Sequence, residues 1–239
     1  MKLNAKLLLP IYLWVGAVCA QGAEPSTSDP VLSVLDAVLE EPAEDKDSRY
    51  TRLTDADFRL VAKQLGVEVA AIKAVVEIEA GKTMHGFSQP GVPTINFDPA
   101  MYRVYAPKAV DKKPYKHMKV PSGLTGYAKQ EWTLLVNAAH KNGQGALMGT
   151  FWGMFQIGGF NYKTCGCKSV DEFVKLMSQS EFAQLELFAK FITNSNMVEF
   201  LRKKDWAGFA KRYNGTSYAR RGYHTKMAAA YQRYKSNKK

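Results

Sequence analysis

The chain has 239 residues, 46% of them hydrophobic, and a formal net charge of +11 at neutral pH. The positive excess favours anionic polymers, and with no recognisable nucleic-acid-binding motif it points to cell wall and membrane surface rather than to DNA or RNA. Four histidines, His85, His117, His140 and His224, are scattered without ligand-like spacing, so neither a metal nor any other cofactor is expected.

Residues 1–20 carry Lys2 and Lys6, an apolar run from Leu7 to Val18, and a small-residue cleavage site at Val18-Cys19-Ala20. This pattern describes a secretory signal peptide, too short and too quickly followed by polar sequence to be a membrane span. A lipid anchor on Cys19 is the rival reading, disfavoured by the bulk of Val18. Either way the expected location is periplasmic or secreted, with no stable membrane insertion after cleavage. Residues 21–48 follow as an acidic linker with eight acids against Lys46 alone, a charge of −7. Within it Val31, Val34, Leu35, Val38 and Leu39 recur at helical spacing, which predicts a short amphipathic helix lying on an oppositely charged domain. A bolder alternative makes it an acidic cover over a cleft. That leaves +16 for residues 49–239, a length sufficient for one domain with a sizeable core.

The domain reads as helical nearly throughout. Thr54-Asp55-Ala56-Asp57 supplies a cap and an acidic first turn for a helix running to Leu65, where Gly66 stops it. A second helix is predicted from Val69 to Ala80. Residues 81–93 hold three glycines and two prolines and read as an exposed loop, and Thr94 to Phe97 as a short strand. From Ala106 to Gly126 a segment with five lysines is long enough to be functional or mobile. Helical spacing resumes from Lys129 to Lys141 and breaks at Asn142-Gly143. After a glycine- and aromatic-rich stretch from Gly145 to Tyr162, helices are predicted over 170–178, 181–193, 197–203, 205–213 and 223–234. Strands are few, and the fold class is mainly α. Cys165 and Cys167 are separated by one glycine, too short a span for a relaxed disulfide, so free thiols or an unusual local bridge both stay open.

One position in the second helix breaks the pattern. Ile72, Val75, Val76 and Glu79 share a face, since positions three, four and seven apart stack on a 3.6-residue period. Glu79 therefore lies on an apolar stripe, while Glu77 points elsewhere, one turn from Lys73 with which it reads as a solvated ion pair. A carboxyl that loses hydration has its ionised form disfavoured, which raises its pKa toward the range where it can donate a proton near neutrality. A Glu that snorkels to water past Gly81 is the alternative.

Four motifs in order then resemble a known family. Ala74-Val75 with Ile78-Glu79-Ala80 and Gly86-Phe87 is the first, and Asn96-Phe97-Asp98 with Met101-Tyr102-Arg103 the second. The third is Trp152-Gly153-Met154-Phe155-Gln156-Ile157 followed by Gly159-Phe160-Asn161-Tyr162, and the fourth Tyr213-Asn214-Gly215 with Tyr218 and Tyr223. Together they resemble the bacterial and phage N-acetylmuramidase domain over nearly all of residues 52–239.

The resemblance implies a lysozyme-like helical domain with a minor β element. It also implies cleavage of the β-1,4 bond between N-acetylmuramic acid and N-acetylglucosamine in peptidoglycan glycan strands. It places the catalytic acid on Glu79 and a second acid on Asp98, one methylene shorter than the family's residue. Flat apolar faces and amides suited to sugar are Trp152, Gln156, Tyr162, Tyr213 and Asn214. Trp152 and Tyr162 could equally be core. Two rival functions stand beside the hydrolase: a lytic transglycosylase, which uses one Glu, and a non-catalytic wall-binding module. An immunity or targeting protein is left open as a partner.

Overall fold

The computed structural model describes residues 52–81 and 85–236; the segments expected to be a signal peptide and an acidic linker with a short amphipathic helix lie outside these. Thr54 opens helix α1 (Asp55–Leu65) with a reciprocal cap, its hydroxyl accepting the Asp57 N–H while the Asp57 carboxylate accepts the Thr54 N–H at 2.7 Å. Gly66 ends the helix at φ 62°, a left-handed conformation that glycine adopts freely. Helix α2 (Val69–Ala80) is apolar on two sides. Ile72, Val75 and Val76 enter the main core, whereas Ala70, Ala71 and Ala74 pack on Ala230 and Tyr231 near the end of the chain.

The loop expected over 81–93 contains a hairpin, β1 (Phe87–Gln89) with β2 (Val92–Pro93). Its tip, Pro90-Gly91, has the residues a tight turn needs, Gly91 taking φ 76°. Strand β3 (Ile95–Phe97) pairs antiparallel with β4 (Thr150–Trp152), and β4 with β5 (Ile157–Gly158), giving a three-stranded sheet. Helix α3 (Pro99–Tyr105) follows β3 directly.

The lysine-bearing segment after it is pinned rather than loose. Tyr115, Met118 and Leu124 are buried, the Tyr115 hydroxyl donates to Asp171 Oδ1 at 2.8 Å, and the Gly143 N–H donates to the Lys113 carbonyl at 2.9 Å. Its lysines stay at the surface. Helix α4 (Gly126–Ala139) is followed by a short buried helix, α5 (Gly143–Met148), which the glycine content of that stretch conceals. Asn142 caps α5 by accepting the Gly145 N–H at 2.8 Å. Glycine is required there because the residue that follows α3 packs at backbone contact: a Cβ on Gly145 would lie 2.7 Å from the Ala106 Cα.

Helices α6 (Val170–Met177), α7 (Glu181–Asn194), α8 (Val198–Lys203), α9 (Trp206–Asn214) and α10 (Tyr223–Ser236) stand within two residues of their predicted positions. α7 runs through the core, with Leu185, Phe188 and Ile192 enclosed, and the fold is mainly α. Because α10 lies across α2, Glu77 pairs with Arg233 and not with Lys73. Lys73 instead reaches Asp55 at 2.6 Å, its ammonium also resting over the Phe58 and Tyr234 rings. Cys165 and Cys167 are buried free thiols; burial pushes Cys167 up to about 11 and raises Cys165 as well, so both stay protonated.

Candidate active site

Glu79 stands in the last turn of α2, one residue before the helix ends. Its face is fixed by the burial of Ile72, Val75 and Val76, and Glu79 itself is half-buried. Loss of hydration pushes its carboxyl up from 4.5 to about 7, opposed by a hydrogen bond from Asn214. Neither cause is a second carboxylate. The C-terminal end of a helix, where the backbone dipole disfavours negative charge, acts in the same sense as burial.

The partner comes from α9. Asn214 is its last residue, and Nδ2 donates to Glu79 Oε1 at 3.1 Å. The other atom of that amide, Oδ1, is buried without a hydrogen bond among the described residues. Beside it, Tyr213 is almost wholly enclosed between Phe188, Phe191 and Phe209, and its hydroxyl donates to the Phe155 carbonyl at 2.7 Å. Burial first, and the nearby Glu79 charge second, keep that phenol protonated. Tyr213 is thus a strut under the site, with no ring face offered to a sugar.

The turn that Tyr213 holds links β4 to β5 and ends at Gln156, which takes φ 49° and folds its side chain back to donate to the Gly153 carbonyl at 2.9 Å. Gln156 and Tyr162 keep part of their surface exposed. Trp152 does not: it is wholly enclosed, its indole N–H donates to the Leu147 carbonyl at 3.1 Å, and its ring meets Trp132 edge-on. Of the two readings open for Trp152, the structure takes the core one.

Asp98 is also buried, and its Oδ1 accepts the N–H groups of Ala100 and Met101 at 2.7 and 3.1 Å, capping α3. The structure therefore joins Glu79, Asn214, Tyr213 and, through Phe155, the turn bearing Gln156. Trp152 and Asp98 are tied into the scaffold by bonds of their own.

Among the buried polar residues that escaped the sequence reading, Glu131, Glu181 and Gln184 tie distant segments together. Glu131 accepts the Phe97 N–H at 2.7 Å; Glu181 and Gln184, in the first turns of α7, bond to the loop after α2. Each could have been found by the test applied to Glu79. Gln184 shares a face with Leu187, Phe188 and Phe191, and Glu131 shares one with Leu135 and Ala138, positions three, four and seven apart. Among the described residues no three His, Cys, Asp or Glu side chains gather as they would around a metal ion.

A half-buried carboxylic acid held by an amide, beside a short sheet in a helical domain, is the arrangement on which comparison with known proteins bears. The N-acetylmuramidase family profile matches residues 68–235. No curated protein matches the chain. Among solved structures, the endolysin of the Burkholderia phage AP3 is similar, with 36% sequence identity and a TM-score of 0.66, over 80% of this chain and 73% of that one. The mainly α fold is accordingly lysozyme-like, and the chain belongs to the N-acetylmuramidase family, as a glycoside hydrolase of the muramidase type that acts on peptidoglycan.

Proposed function

We propose that the enzyme cleaves the β-1,4 bond between N-acetylmuramic acid and N-acetylglucosamine, with Glu79 as the general acid, on wall outside the cytoplasm. The observation that carries this reading is the Glu79 carboxyl, with a pKa near 7 and one oxygen engaged by Asn214. Asn214 Nδ2 can only donate, so it binds the unprotonated oxygen and leaves the acidic proton on Oε2, free to meet substrate. The glycosidic oxygen takes that proton as its bond to the anomeric carbon breaks. Water adds to the oxocarbenium-like carbon, and its surplus proton restores Glu79 by way of solvent. So electrophilic a centre asks little of a base, and Asp98, whose Oδ1 caps a helix, is not assigned to the step.

The same feature favours one second reading. With Asp98 Oδ1 engaged in capping α3, the substrate's own C6 hydroxyl could attack in place of water, as in a lytic transglycosylase. Mass spectrometry of digested muropeptides separates the two. A reducing-end muramic acid is the expected product; a 1,6-anhydro end, lighter by one water, would replace hydrolysis with transglycosylation. Glu79→Gln should abolish clearing of sacculi while retaining binding to them, and a fully lytic variant would remove Glu79 from the chemistry.

A further inference from the structure

The fold places two buried polar side chains, one turn apart on α7, against the segment that follows α2 and the turn between β4 and β5. Gln184 is wholly enclosed, yet its amide is fully used. Oε1 accepts the Met154 N–H at 2.8 Å, and Nε2 donates to the carbonyls of Met177 at 2.8 Å and Gly86 at 3.2 Å. Glu181 accepts the N–H groups of Gly86 and Leu53, each at 3.1 Å. Both halves of the Gly86 backbone are therefore held by α7, in the way a neighbouring strand would hold them.

Gly86 belongs to the segment that leaves the end of α2, and Met154 to the turn that ends at Gln156. The two are also linked through Thr94, whose N–H donates to the Gly86 carbonyl at 2.9 Å and whose carbonyl accepts the Gly153 N–H at 2.8 Å. Gln184 closes this row from the core side. Its approach is so close that a Cβ on Gly86 would fall 2.3 Å, and one on Gly153 2.6 Å, from its Oε1. One residue beyond Met154, the Phe155 carbonyl is taken by Tyr213. The turn is thus fixed at two successive residues, once from α7 and once from α9, the helix that supplies Asn214.

We infer that Gln184 is a positioning residue: it locks the Gly86 segment, which follows the Glu79 helix, to the Gly153–Gln156 turn, which Tyr213 ties to the Asn214 helix, and so fixes the backbone that supports Glu79 and Asn214. It touches no substrate. Its amide is suited to this because it offers one acceptor and two donors in a plane, all three consumed by backbone groups from three different segments. Gly86 and Gly153 are the matching half of the device, bare of side chains so that the amide can reach their backbones. The inference rests on the site being at Glu79, as proposed above.

The test is Gln184→Met in the full chain, which keeps roughly the side-chain volume and removes every polar atom. At a temperature well below its melting point the variant should lose at least tenfold in kcat/KM on purified sacculi. Amide hydrogen exchange should rise at residues 85–94 and 150–158 while α4 and the rest of α7 stay protected. A folded variant within twofold of the parent, or a loss accompanied by exchange rising evenly across the core, would overturn the assignment and leave Gln184 a general packing residue. Should Gln184→Met not fold, Gln184→Glu, which keeps the acceptor for Met154 and loses the donors, is judged by the same two readouts. Glu79→Gln measured in parallel separates the two failures: if that variant lyses normally the site lies elsewhere, whereas the localised exchange still reports on Gln184.

Discussion

Asn214 Nδ2 lies 3.1 Å from Glu79 Oε1, joining the last residue of one helix to the last turn of another across 135 positions of sequence. The bond makes the chemistry of Glu79 depend on α9, and it orders the predictions that follow.

If Glu79 must be protonated to act, activity falls as pH rises through about 7, tenfold per unit beyond it. A pH–rate profile of sacculus lysis, corrected for binding, should place its alkaline limb there. A limb in the ordinary carboxylate range near 4.5 would mean that the carboxyl is hydrated during turnover.

Removing the amide should move that limb. The Asn214 hydrogen bond lowers the Glu79 pKa against the larger effect of burial, so Asn214→Ala is expected to shift the limb upward while lowering kcat by tenfold or more. A lower kcat with an unmoved limb would assign Asn214 to substrate alone.

Holding Glu79 in place costs stability, and the sign can be worked out. Its pKa is raised on folding, so between about 4.5 and about 7 the unfolded chain binds fewer protons and native stability declines with pH, levelling off above 7. That rise corresponds to about 3 kcal/mol as an upper figure. Glu79→Gln should therefore unfold at higher denaturant than the parent at pH 8, with the difference vanishing at pH 4.

Asp98 can be divided into its two candidate roles by two substitutions. Asn caps a helix about as well as Asp, so Asp98→Asn is expected to keep both stability and lysis within about threefold. Asp98→Ala should lose about 1 kcal/mol from the missing cap. A stable but inactive Asp98→Asn would restore the carboxylate to the mechanism.

For Trp152 the expected loss is in stability and not in substrate affinity. Truncating an enclosed indole to Ala leaves a cavity, costing about 3–5 kcal/mol. Trp152→Phe, which keeps most of the ring, should retain KM; a raised KM with normal unfolding would mean the ring meets sugar.

How much could be read beforehand varied with the kind of signal. Helices with caps and an apolar stripe were legible almost to the residue, as at Thr54 and Gly66, because both signals are local. So was the face of Glu79, since helical periodicity alone decides it. The pairing of Glu77 was not: Lys73 is its neighbour in sequence, but α10 brings Arg233 to it from 156 positions away. Helix α5 went unseen for a related reason, its glycines answering to Ala106 and to Tyr115 and not to their own backbone preferences. Tyr213 and Trp152 have the side chains a sugar site would want, and only tertiary packing reveals that both are spent on the scaffold.

The alanine face of α2 has a consequence for the order of assembly. Ala70, Ala71 and Ala74 are covered by Ala230 and Tyr231, so the helix that carries the acid is closed on one side by residues very distant from it in sequence. Contacts so distant form late in folding. A chain cut before α10 would lack the cover over α2 along with its full activity.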